Sequence, residues 1–126
     1  MRDAADPPEI HRCADSPKAE RAEALALGLM GLGPLDRDAL AEGVGWDASG
    51  RTHMGRDAVV AAIIPAPARR VDVDQTVTHG KAAAVSGVLT LADGSTRLFC
   101  HMIRYTSAAA TTVAHIVSFE HGGPKR

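Results

Sequence analysis

Aromatic residues are scarce in this sequence. Among 126 residues only Trp46, Phe99, Tyr105 and Phe119 carry an aromatic ring other than histidine. A core short of rings is built from Ala, Val and Leu, so each large side chain counts for more. Burying one is worth roughly 1.5–3 kcal/mol. Cysteine is scarce too. Cys13 and Cys100 lie far apart and neither has a CxxC partner, which excludes a disulfide framework and leaves free thiols in a reducing compartment. No excess of one charge exists either. Lys+Arg number 14 and Asp+Glu 15, for a formal net charge of -1. The charges are spread evenly: residues 1–70 hold 9 basic and 11 acidic, and residues 71–126 hold 5 and 4. Without a basic face, nucleic acid is not an expected partner. No apolar run approaches the roughly 18–20 residues of a spanning helix, so no membrane contact is expected. The opening MRDAADPPEIHRC carries acids and prolines where a secretory leader has an apolar stretch, and a cytoplasmic location is the expectation. The length suits one domain.

The pattern along the chain is more informative. Residues 1–15 show no period, and Pro7-Pro8 opposes regular structure, so a flexible N-terminal segment is expected. Ser16-Pro17 reads as a helix start, with serine as cap and proline at the first helical position. Ala22, Leu25, Ala26 and Leu29 follow at helical spacing. Asp36 is placed to cap a short second helix through Ala41. The run GVGWDASGRTHMG reads as loop. Gly55-Arg56-Asp57 opens a third helix carrying Val59, Val60, Ile63 and Ile64, stopped by Pro65 and Pro67. From residue 70 apolar and polar residues alternate, the period of a strand. Four strands joined by hairpins are expected, with Asp93-Gly94 as the strongest turn signal. Helices followed by strands imply an α+β fold with an antiparallel sheet. One domain over residues 16–121 and a frayed tail at 122–126 complete the expectation.

This order, with LAEGVGWDASG, MGRDAVVAAI and the strand pair LFCHMIRYTSAAATTVAHIVSFE, resembles the nuclear-transport-factor-2-like superfamily. Its members include the SnoaL-like polyketide cyclases, ketosteroid isomerase and limonene epoxide hydrolase. The resemblance covers about residues 17–121. It implies a cone-shaped curved antiparallel sheet of about four strands, packed with three N-terminal helices around a pocket, and a homodimer formed through the sheet.

Strand alternation groups the candidate site residues by face. Similarity to the epoxide hydrolases turns Phe99, His101 and Ile103 inward on the third strand, and Ile116 and Ser118 on the fourth. It likewise selects Ala84, Ser86 and Val88 on the second strand, and Val73, Val77 and His79 on the first. Trp46 sits near the mouth. The result is an apolar pocket with few polar groups, the makeup of a small-molecule site. The acidic residues by which the resembling enzymes work have no counterpart at these inward positions.

Two readings follow. In one, the protein binds a small apolar ligand and performs cofactor-free proton transfer of the isomerase, cyclase or dehydratase kind. His101 is then the acid–base group, because a histidine titrates near neutral pH. Ser86 and Ser118 orient it or hold a developing oxyanion. In the other, the chain is a non-catalytic ligand carrier or dimerising scaffold. No cofactor is implied. The six histidines form no HxH or HExxH spacing, so no metal site is expected.

Overall fold

The computed structural model describes residues 7–122. The elements run β1 (Glu9–His11), α1 (Pro17–Leu29), a 3-10 turn (Arg37–Ala39), β2 (Leu40–Ala48), β3 (Arg51–Met54), α2 (Arg56–Ala61), β4 (Ala68–His79), β5 (Ala82–Leu91), β6 (Thr96–Tyr105) and β7 (Val113–Gly122). All seven strands form one sheet in the order β1-β4-β5-β6-β7-β2-β3. The fold is α+β, but with seven strands and two α-helices among the described residues rather than four and three. The sheet is mixed rather than antiparallel, since β1–β4 and β2–β7 pair parallel.

Helix α1 starts as its sequence dictates. The Ser16 hydroxyl accepts the Ala19 N–H at 3.1 Å, and Pro17 occupies the first turn. Its buried face, with Ala22, Leu25, Ala26 and Leu29, joins one core with Val71, Val85, Leu89, Phe99, Ile103 and Ile116 of the sheet. We call the sheet face in this core the inner face.

The expected second helix is only a 3-10 turn, and the expected loop after it is a β-hairpin. Gly43 and Gly45 make that stretch look like loop. Yet Gly45 is a strand residue without room for a side chain: a Cβ there would lie 2.8 Å from the His115 ring. Ser49 and Gly50 both have positive φ, 51° and 82°, the pattern of a two-residue hairpin turn matched to strand twist.

The N-terminal segment expected to be flexible supplies β1 at the sheet edge. The cause is Glu23, whose side chain is fully buried on α1. A buried carboxylate is costly unless paired. Arg12 donates to it at 3.1 Å and the Thr76 hydroxyl at 2.7 Å, which ties the stretch around Arg12 to the fold. At the other end, Gly122 belongs to β7 rather than to a tail. Residues 1–6 and 123–126 lie outside the described residues.

The face of β5 differs from the expectation by one residue. A two-residue Asp93-Gly94 turn would place Ser86 opposite His101. Instead the loop holds three residues, Ala92 to Gly94, closed by Leu91 N–H to Ser95 O at 2.9 Å. Gly94 has φ 85°, the left-handed residue such a loop needs. The added residue sets Val85 opposite His101 and Ser86 opposite Cys100. Every β5 side chain is thereby turned over: Ala83, Val85 and Leu89 are buried inside, while Ala84, Ser86 and Val88 share the outer face with Cys100. In β4 a bulge between Val73 and Gln75 has the same effect. Val73 stays inside, but Thr76 turns in and Val77 becomes exposed.

Candidate functional site

Three strands deliver one polar cluster to the inner face. β6 supplies His101, β7 supplies Ser118 and β2 supplies Trp46. Ser118 lies opposite His101 in the β6–β7 ladder, and β2 runs parallel beside β7. The Trp46 indole N–H donates to Ser118 Oγ at 2.7 Å, and His101 Nδ1 lies 2.7 Å from the same oxygen. Serine has one proton to give. The indole N–H fills one lone pair of Oγ, so Nδ1 meets the hydroxyl either as acceptor of its proton or as donor to its second lone pair, as the ring tautomer decides. As acceptor, Nδ1 is bare and the ring proton sits on Nε2. His101 is 3% exposed, and its Nε2 is buried without a hydrogen-bond partner. Burial depresses its pKa from 6.5 to about 4, because a charged ring in an apolar site loses its hydration. At neutral pH the imidazole is uncharged.

Beside this cluster lies a cleft of about 340 Å³, lined by Trp46, His101 and Ser118 together with Met30, Ile64 and Pro65 among others. At its rim Arg97 and Glu120 stand 4.0 Å apart. The segment after α2 forms one wall. It is held to the end of α1 by Ala66 N–H to Met30 O at 2.8 Å. Gly31, at φ 70°, permits this approach, since a Cβ there would meet Pro65 at 2.6 Å.

Of the residues selected from sequence, Trp46, His101 and Ser118 meet in the cleft. Phe99, with its ring centroid 5.7 Å from that of His101, is buried in the core, as are Ile103 and Ile116. These fill the depth of the fold and leave the opening at its rim. Ser86 is on the other face and is not part of the site. Asp47, next to Trp46, is a strand residue bonded to Thr52 at 2.6 Å and His115 at 2.9 Å. These bonds, that to Thr52 foremost, hold its pKa below the usual carboxylate value. Sequence reading missed the wall from Ala62 to Pro67 and the Arg97–Glu120 pair. The wall has no period to betray it, and its two prolines signal only a helix stop. Among the described residues no group of three or more His, Cys, Asp or Glu is placed to hold a metal ion. No helix among them is long and apolar enough to cross a membrane.

No family model and no curated protein matches the sequence. Solved structures do. A nuclear-transport-factor-2-like protein of unknown function from Mesorhizobium loti matches over 90% of this chain and 99% of its own, with TM-score 0.65 and 20% identity. Another described in the same words, from Cytophaga hutchinsonii, matches over 83% and 99%, with TM-score 0.60 and 12% identity. The chain has the nuclear-transport-factor-2-like fold. A de novo designed protein with a curved β-sheet is similar to it as well, at TM-score 0.62, 13% identity and coverage of 83% and 86%. Likeness at such identities is one of architecture, and the chemistry of this chain has to be read from its own residues.

The state of His101 has a measurable consequence. In the unfolded chain the ring takes its proton near 6.5, but in the folded chain only near 4. Between these values the unfolded state binds the extra proton, so stability falls as pH falls, by about 3 kcal/mol across the window. Above pH 6.5 this contribution is flat. Urea unfolding from neutral pH down to that of the folded pKa, on wild type and His101→Gln, isolates the histidine. The variant is expected to lose about that much of the pH dependence. Equal pH dependence in both proteins contradicts burial of a neutral ring.

Proposed function

We propose that this protein binds a small apolar compound with one hydrogen-bond acceptor, a carbonyl oxygen being the simplest, in the cleft at His101. The observation that carries this reading is the buried Nε2 of His101, unpartnered while Nδ1 is engaged by Ser118. In this reading Ser118 donates to Nδ1 and the ring proton sits on Nε2, and a buried donor without an acceptor costs about 1–3 kcal/mol. A ligand oxygen that accepts from it recovers that cost in the bound state. The apolar walls supply the rest of the recognition, in the proportion usual for small-molecule sites.

Binding without chemistry is the version the site supports. A ring with a pKa of about 4 is not a general acid at neutral pH. Among the described residues lining the cleft the one carboxylate is Glu120, which stands at the rim near Arg97. The isomerase, cyclase and dehydratase readings need an acid–base group near the ligand, and they are less well supported than a ligand carrier. A thermal-shift screen with apolar ketones, steroid-like and polyketide-like carbonyl compounds and fatty acids tests this, run beside His101→Ala and Trp46→Phe. Ligands that bind the native state raise its melting temperature. A shift with a carbonyl compound, lost in His101→Ala, is the expected result. Silence of every carbonyl compound at millimolar concentration, or a carbonyl-compound shift unchanged in His101→Ala, overturns the reading.

The outer face favours a second, compatible property. Leu98 and Met102 on β6 and Phe119 on β7 are 43%, 51% and 56% exposed. The ladder sets Met102 beside Val117 and Ala84, and Leu98 beside Val88. An apolar patch continuous across three strands suits an interface, and we infer a homodimer through this face. Light scattering after size exclusion is expected to give twice the chain mass, and Met102→Lys is expected to give a folded monomer. A wild-type monomer at high concentration contradicts the inference.

A further inference from the structure

A second cleft of about 340 Å³ shares no residue with the first. It opens between α1, the segment after it and the β6–β7 connection. Leu25, Leu35 and Val113 give it apolar walls, and Arg21, Asp36, Tyr105 and Thr111 are its polar side chains. Tyr105 is 4% exposed, and its hydroxyl is buried with no hydrogen-bond partner. It is four positions beyond His101 on the same face of β6, about 13 Å away along the strand.

Arg21 reaches this cleft from α1. Its guanidinium donates to the backbone carbonyls of Ala110 at 3.3 Å and Ala109 at 3.4 Å. It forms no ion pair among the described residues, where the five found involve other groups. Carbonyl contacts fix the position of a guanidinium but leave its charge unbalanced. Asp36 is the one acid lining the cleft, and its carboxylate accepts the Asp38 N–H at 3.0 Å. The positive charge of Arg21 bears on the Tyr105 phenol, and burial keeps that phenol protonated as a donor.

We propose that this cleft binds a small monocarboxylate with a compact apolar body. The carboxylate accepts from the Tyr105 O–H and faces the Arg21 charge, and the apolar body lies on Leu25, Leu35 and Val113. The two clefts then take ligands of different chemistry: an uncharged acceptor at His101 and an anion at Tyr105.

The chain has one tyrosine, so a ring-labelled tyrosine gives a single resonance that reports on this cleft alone. Hexanoate is the probe and hexanol the neutral control. Titration into wild type is expected to shift the Tyr105 resonance saturably in the millimolar range or tighter, with hexanol at least about tenfold weaker. Tyr105→Phe keeps the ring and its packing, so it is expected to stay folded. Its hexanoate affinity, read by calorimetry, is expected to fall about tenfold. Arg21→Lys, which keeps a charge, is expected to bind better than Arg21→Gln. His101→Ala is expected to leave hexanoate binding unchanged, which separates this site from the first cleft. Absence of saturable binding, equal affinity for hexanol, full affinity in Tyr105→Phe or loss of hexanoate binding in a folded His101→Ala would each overturn the proposal.

Discussion

One serine hydroxyl joins three strands of this sheet. Ser118 on β7 takes the indole N–H of Trp46 from β2 and meets the imidazole of His101 from β6, both at 2.7 Å. Each neutral hydrogen bond contributes only about 1 kcal/mol net. Their arrangement matters more than their sum. Inside a low-dielectric core a polar group without a partner is costly, so the bonds that are made decide which atom is left over. Here the indole fills one lone pair of the serine oxygen; in the tautomer we propose, the serine proton goes to Nδ1 and Nε2 carries the donor with nothing to meet. The chemistry of the cleft follows from that allocation.

Other constraints set the stage for the cluster. Bare glycines and a buried charge shape the sheet around it. Gly87 has no room for a side chain, since a Cβ would fall 2.0 Å from the Asp72 carbonyl and 2.9 Å from the Phe99 ring. This close approach brings β4 and β5 together beneath Phe99. Glu23, buried on α1, draws Arg12 and Thr76 to it and so keeps the N-terminal stretch against the sheet. The core fills the depth of the fold with Phe99, Ile103 and Ile116. Open space is left at separate places, each lined by a residue that carries a buried polar atom without a partner: His101 with Nε2 and Tyr105 with its hydroxyl.

Much of this was legible in the sequence, and what was not has physical causes. The Ser16-Pro17 start, the alternation from residue 70 onward and the faces of β6 and β7 follow from local rules, and they bring His101 and Ser118 together. Trp46 was placed near the mouth, though on a loop rather than a strand. Glycine misleads there, because Gly45 serves close packing against His115, and composition alone cannot distinguish that from a turn. Ser86 was placed inward by resemblance to the epoxide hydrolases, and the sequence offered no check on it: a hairpin loop of two residues and one of three share the same Asp-Gly signal, while the register changes by one. The bulge in β4 left no mark in the sequence and turned Val77 outward. Parallel pairing of β2 with β7 joins strands about 70 residues apart, beyond the reach of local pattern.

The tautomer and titration of His101 test this account most directly. Nitrogen resonances of the histidine rings, followed from about pH 8 to about pH 3, report both. His101 is expected to stay neutral down to about pH 4, with Nδ1 bare and accepting and the proton on Nε2. Titration near the ordinary histidine value, or a proton on Nδ1 at neutral pH, would contradict it.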